Sequence, residues 1–516
     1  MSSIPLRPAP AQGGRDFMFV DHQADVSRTN GVRTQKKSFL ARHARQKLRQ
    51  ESINRLKYSR PLWSNIPREA KQLERTAPSE DKLEEDNSMQ IEGRRHPIFS
   101  LTEHVGQGYV DPFDTYSVPM TDAMNMYFHH YRVCVVSSAF PLDGAQMSIL
   151  WSHNAVVSPG LLQTFLFLAA AHKSALESGN GVSLQVAQRS FRDAIQFRVN
   201  AIRTLNDLLQ HPVTAAADST IMLVGSIMAF EGLNAEFEAL EAHMKGLAAL
   251  IDLRTGLDTL SHLALEKIYY SDVINAALRN TRPRFPMLPK FRSGILQEAR
   301  MFHLAAASDY ASDTPACLSS LGTRFSTAAW ASELDPSMKY TIGVCRRLLL
   351  HIEIANRFPN VVMPTDNDLY LLFQHHLVSL DYPPHPTDLN EPIRQTVLIC
   401  LYVRVMHLQS FPIMHHMTNA LRDTLFCRLP YFKSAAPDLL FWILFIGGIA
   451  SHGYPPHPWF VAHLRDMAAQ LGLEQWDNAQ HVLAGFFYMG QPGEGEEQVV
   501  EDLWDEMRGQ SSFYMT

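Results

Sequence analysis

Cysteine is scarce and scattered: five in 516 residues, at Cys134, Cys317, Cys345, Cys400 and Cys427. No two form a C-x-x-C pair, which excludes a zinc site or a dithiol redox motif of local spacing. An odd, dispersed set is what a reducing compartment permits, where thiols fill small gaps in a core. Charge is slight too, a net −6 over 58.3 kDa, and does not mark the whole chain as a nucleic-acid binder. No long apolar run exists. "LLFWILFIGGIA", Leu439 to Ala450, falls short of the ~20 residues that span a bilayer. A buried helix is expected there, and no membrane partner. "MSSIPLRPAPAQGG" has no apolar core of signal-peptide length, so the expectation is a soluble intracellular protein.

Catalytic signatures are missing as well. There is no G-x-S-x-G, no H-E-x-x-H, and neither G-x-x-x-x-G-K-[ST] nor G-x-G-x-x-G. The 23 histidines include the doublets His129–His130, His375–His376 and His415–His416, and His452 lies near His457. Adjacent residues on a helix point about 100° apart, so a doublet is a poor source of two ligands for one ion. Surface or satisfied core histidines are the expected reading. Asp366 and Asp368 offer two nearby carboxylates, read as helix-capping groups rather than an acid–base pair. No catalytic residue, metal site or cofactor is expected, and the chain is not read as an enzyme.

What the chain does have is helical texture from about Tyr116 onward. "PGLLQTFLFLAAAHKSALESG" opens on Pro-Gly, carries apolar residues at helical spacing and closes on Gly. In the next segment Val186, Phe191, Ile195, Val199, Ile202 and Leu205 recur at steps of three to five. "DSTIMLVGSIMAFEGLNAEFEALEAHMKGLAALIDLRTG" starts on Asp218 or Ser219 as N-cap. Strand alternation between hairpin turns is nearly absent, and no regular solenoid repeat stands out. The fold class is all-α: one large irregular multi-helix domain, 116–516, preceded by a basic segment, 1–60, and a disordered linker, 61–115.

Within the first segment, Arg28 to Arg60 holds eleven Lys/Arg and one acid, Glu51. Phe39, Leu40, Leu48, Ile53 and Leu56 give it a weak apolar stripe. Three readings stand beside one another. It is a solvated, partly disordered arm; or Lys36, Lys37, Arg42, Arg45, Lys47 and Arg49 form a nuclear-import address; or the same charges contact phosphates in a weak, sequence-blind way. Phe39 and Tyr58 stand too far apart to support base stacking. At the other end, "GEGEEQVVEDLWDEM" alternates acids with apolar residues in the manner of an acidic activation segment. Val500, Leu503, Trp504 and Met507 also share one helical face, and a helix closing the core is the preferred reading.

"HMKGLAALIDLRTGLDTL", His243 to Leu260, reads as a joint between helices, with Gly256 at the left-handed position and Asp258 capping the next helix. Its His-x-x-Gly-Leu helix and Arg-x-Gly-Leu turn resemble the regulatory ("middle homology") domain of fungal zinc-cluster transcription factors. "LLFWILFIGGIASHG" and "HPWFVAHLRDMAAQLGLEQWDNAQHVLAGFFYM" resemble that family's C-terminal part. "FMFVD" followed by "TQKKSFLARHARQKLR" is similar to the N-terminal stretch of members that lack the cluster. The family's DNA-binding module needs six cysteines around two zinc ions, and no cysteine precedes Cys134, so that module is not carried over. The resemblance implies a nuclear regulator of transcription, acting on a biosynthetic or metabolic gene set. It would work through protein partners, as a homodimer, or through a small effector. The alternative is a cytoplasmic helical scaffold or adaptor.

Overall fold

The computed structural model describes residues 118–179, 184–292, 316–357, 367–409, 411–488 and 496–509. Among them there is no strand, and the all-α expectation holds. The α-helices of seven or more residues, in chain order, are α1 (Asp122–His130), α2 (Gly144–Val157), α3 (Pro159–Gly179), α4 (Leu184–Leu209), α5 (Asp218–Leu233), α6 (Phe237–Leu253) and α7 (His262–Arg279). Next are α8 (Pro336–Arg357), α9 (Asp368–Ser379), α10 (Asn390–Arg404), α11 (Ile413–Phe426), α12 (Leu429–Ala435) and α13 (Pro437–Ser451). Last come α14 (His457–Gln470), α15 (Trp476–Ala484) and α16 (Glu496–Arg508). No helix among the described residues is long and apolar enough to cross a membrane.

Two helices organise the packing, and both are apolar on every side rather than along a stripe. Helix α5, "DSTIMLVGSIMAFEGL", is covered by α3, α6 and α7. Its crossing with α7 is close enough for Ser271 Oγ to donate to the Gly225 carbonyl at 2.6 Å. Helix α13, "PDLLFWILFIGGIAS", is buried along its length beneath α10, α11, α14 and α16. The apolar run Leu439 to Ala450 is therefore the buried helix expected from its length. Helix α7 also packs on α9 and α11, and the buried apolar residues form one continuous cluster. Val500, Leu503, Trp504 and Met507 of α16 are all buried against it, so this face closes the core.

The joint after α6 differs in detail from the sequence reading. Thr255, at φ +64°, takes the left-handed position, and Gly256 comes after it at φ +121°. Thr255 N donates to Asp252 O at 3.0 Å and Gly256 N to Ile251 O at 3.0 Å, the paired bonds of a Schellman end. Asp218 does not cap α5; its carboxylate accepts from Arg254 Nη1 at 2.8 Å and from Ser261 N at 3.0 Å. Nor does Asp258 cap α7, since Ser261 accepts from Ala264 N. Arg254 completes a knot by donating to the Ala216 and Thr259 carbonyls at 2.7 and 2.6 Å. Arg254→Ala should therefore cost about 1–2 kcal/mol, the worth of charge-assisted bonds partly open to solvent. Urea denaturation of the full chain reads this directly, and an unshifted midpoint would show that the turn closes without the arginine.

Candidate functional site

Four pieces of chain meet around one open cleft. Helix α7 stops because Asn280 turns left-handed at φ +50°. Helix α9 stops at Ser379 and releases a loop, "LDYPPHPTDL", in which Pro383, Pro384 and Pro386 each lack the N–H that a helix would use. Asp388 then opens α10 by accepting from the backbone of Asn390 and Glu391, both at 3.0 Å. The last turn of α11 and the nearby Arg428 supply the fourth side. The cleft has a volume of about 740 Å³, within the ~300–1,000 Å³ of small-molecule sites. Val378, Leu380, Pro384 and Ala420 give it an apolar wall.

Its floor is a charged network. Arg394 Nε and Nη2 donate to the two carboxylate oxygens of Glu391 at 2.7 and 2.6 Å. Arg394 also donates to the Asn280 side-chain oxygen. Gln395 donates to Glu391 at 2.7 Å and to Thr424 Oγ1 at 3.0 Å. Arg394 is 5% exposed and Glu391 9%, and a bidentate fork offsets the desolvation that such burial entails. These bonds tie the end of α7 to α10 and α11, so the floor is rigid and pre-formed.

Two buried donor atoms beside the cleft have no hydrogen-bond partner, although one of the two residues is ion-paired. Arg428, 3% exposed, donates Nη1 to the Thr424 carbonyl at 2.7 Å, while its Nε meets no acceptor. Its Nη2 is ion-paired with the Asp388 carboxylate at 4.0 Å. The buried Tyr382 hydroxyl has no hydrogen-bond partner either. Burial, then the nearby Asp335 and Asp388, push its phenol up to about 12, so it remains a protonated donor at neutral pH. At the rim, Arg282 pairs with Asp381 at 3.0 Å in full view of solvent.

Apart from the Tyr382 segment, none of these residues stands out in the sequence. The basic residues that do, Lys36, Lys37, Arg42, Arg45, Lys47 and Arg49, lie outside the described residues, as does Asp366. Asp368 opens α9 but pairs with His262 rather than acting as a cap; the preceding Asn367 instead binds the backbone of Leu142 and Asp143. The fold divides the His375–His376 doublet between different partners, whereas the His415 and His416 rings stay 5.2 Å apart. His130 Nε2 meets His172 Nδ1 at 2.8 Å, His375 reaches the Phe285 carbonyl, and His376 the Thr341 hydroxyl. His457 sits between the Gly448 carbonyl at 3.0 Å and Glu506 at 2.9 Å. Among the described residues no three His, Cys, Asp or Glu side chains converge as metal ligands.

One sequence signal does point to the cleft. The pentapeptide Tyr-Pro-Pro-His-Pro occurs twice, at 382–386 and 454–458. The second copy is anchored: Tyr454 donates to the Phe411 carbonyl at 2.7 Å and His457 opens α14. In the first copy the tyrosine hydroxyl is left over and the segment lines the cleft without forming a helix. The pentapeptide therefore does not fix its own environment; the packing around it does.

No curated protein and no solved structure matches the chain. A family model described as "Fungal specific transcription factor domain" matches residues 126–484, a span that contains α2 through α15 and every residue of the cleft. That family is one of regulatory domains of transcription factors, not of enzymes. By this match the chain belongs to the fungal specific transcription factor domain family.

Proposed function

We propose that the protein is a nuclear regulator of a biosynthetic or metabolic gene set, whose helical domain responds to a small effector held in the cleft between α7, α10 and α11. The observation that carries the reading is the coincidence of two facts. The family match makes the domain a transcription-factor domain, and the cleft within it is of ligand size, with an apolar wall and the hydrogen-bonded Glu391–Arg394 pair in its floor. Entry to the nucleus is assigned to the basic segment around Lys36, Lys37, Arg42, Arg45, Lys47 and Arg49, whose clustered charge suits an import receptor. Protein partners, including a second copy of the chain, carry the output, and contact of the basic segment with DNA phosphates adds a weak, salt-sensitive term.

The experiment has two arms. Fluorescently tagged full-length protein is compared with a version lacking residues 28–60, and the full chain is tethered to a reporter promoter through a heterologous DNA-binding domain. The expected results are a nuclear signal lost with the deletion and a reporter that changes with the tethered chain. Cytoplasmic signal in both versions together with a silent reporter would overturn the regulator in favour of a cytoplasmic adaptor. Nuclear signal in both versions would overturn the import role of the basic segment.

A further inference from the structure

We propose that the outward face of α2 is a self-association surface, on which a second copy of this chain docks its own α2 antiparallel about a twofold axis at His153. This rests on the functional reading above, in which a second copy is one of the partners, and gives that copy its surface.

Helix α2 turns Met147, Trp151 and Ala155 inward and packs chiefly on α3 and on the stretch of chain just before it. Its opposite face is apolar where a surface helix is ordinarily polar. Ile149 is 69% exposed, Val157 66% and Leu150 38%. These are three of the eight large hydrophobic side chains exposed among the described residues, gathered on one helix of 14 residues. At about 100° per residue, Ile149, Leu150, His153, the half-buried Val156 and Val157 share an arc of roughly 120° with His153 near its middle. Single exposed apolar side chains are ordinary, whereas a contiguous set marks an interaction surface.

Charge and symmetry select the occupant. Helix α2 carries no Asp, Glu, Lys or Arg, so a partner drawn by charge would find nothing on it to pair with. Two copies of α2 meet without like-charge repulsion. The pattern is also its own complement. In an antiparallel pair centred on His153, Ile149 of each copy meets Val157 of the other, and Leu150 meets Val156. Each apolar residue thus finds an apolar partner in an isologous contact, as a twofold requires. The same alignment sets each helix N-terminus beside the other copy's C-terminus, which suits their dipoles. With one helix from each side the contact is small for a biological interface, and a Kd of roughly 1–100 µM is expected.

Sedimentation velocity of the full-length protein from about 1 to 200 µM should show monomer passing into dimer. Ile149→Lys and Val157→Glu should each weaken the dimer at least about tenfold, because each presses a charge against an apolar side chain. Both substitutions in one chain should restore it, since the introduced lysine of each copy then faces the introduced glutamate of the other. Both positions are exposed, and circular dichroism checks that every variant keeps its helix content. A wild-type chain that stays monomeric throughout would overturn the proposal. So would single variants that dimerise like wild type, or a double variant that stays monomeric. The tethered reporter reads the regulator separately. An active reporter with a monomeric wild-type chain sinks the α2 pair and leaves the regulator. Dimer with a silent reporter keeps the pair and sinks the regulator.

Discussion

Replacing Gly447 with valine is expected to cost the folded domain about 3 kcal/mol, at the upper end of what overpacking a core does. A Cβ placed on Gly447 would lie 2.3, 2.5 and 2.8 Å from three ring atoms of Phe460. Helix α14 thus crosses α13 with its phenylalanine ring against bare backbone, and Phe460 is fully buried with nowhere to swing. On an exposed helix, replacing glycine by a residue with a side chain gains up to ~1 kcal/mol of propensity. Here the clash decides the sign. Urea denaturation of the full-length variant measures the loss. Adding Phe460→Leu should return part of it, because the two changes act at one contact and are not additive. A wild-type midpoint in Gly447→Val would show that the two helices do not approach this closely.

Acid should unfold the domain well above the pH at which its carboxylates titrate. Burial drives the His172 pKa down to about 3, with His407 adding to the shift, and those of His407 and His351 down to about 4. His130 is lowered by burial and by His172, Lys173 and His129 around it. The His130–His172 bond at 2.8 Å requires one ring nitrogen to donate and the other to accept, so a further proton sets two cations against each other. A histidine whose folded pKa is depressed contributes stability that is complete above its unfolded value near 6.5 and is lost as pH falls towards the folded value. At ~1.4 kcal/mol per pH unit, His172, His407 and His351 each forfeit about 2 kcal/mol between about pH 6.5 and 5. Asp272 opposes them. Its carboxyl is raised to about 6 by burial, against the bond from Phe285 N, so its penalty is relieved below that pH by about 1 kcal/mol at about pH 5. The net loss is about 4–5 kcal/mol, comparable with the whole stability of many domains. Thermal midpoints measured from about pH 7.5 to 4.5 should fall steeply below about pH 6.5. His172→Gln should flatten that fall, and a curve flat to about pH 5 would mean that these histidines are already hydrated.

Part of the architecture is legible in the chain alone. Leu439 to Ala450 is too short for a bilayer and too apolar for a surface, so burial is the remaining place for it. Val500, Leu503, Trp504 and Met507 fall on one face at helical spacing, and that face is the buried one. The Arg-x-Gly-Leu turn after α6 is recognisable as a joint. Its left-handed residue stands one position earlier than the pattern suggests, because glycine is the usual occupant while here the β-branched Thr255 takes the position. Asp218 departs from its expected capping role for a related reason. An acid before an apolar run is a local signal, whereas its actual partners, Arg254 and Ser261, lie 36 and 43 residues away.

The all-α class and the identity of the core helices come from the recurrence of apolar residues every three or four positions. That recurrence is a property of neighbours along the chain, so it survives without any knowledge of long-range contacts. The cleft has no such local origin. Asn280 and Arg394, in contact across it, are separated by 114 residues. Arg428 and Glu391 each look like ordinary solvated polar residues when read in line. Packing buries them together, satisfies Arg394 through Glu391 and pairs Arg428 with Asp388 at 4.0 Å. Which charges find partners depends on distances in the folded chain, and no local pattern encodes them.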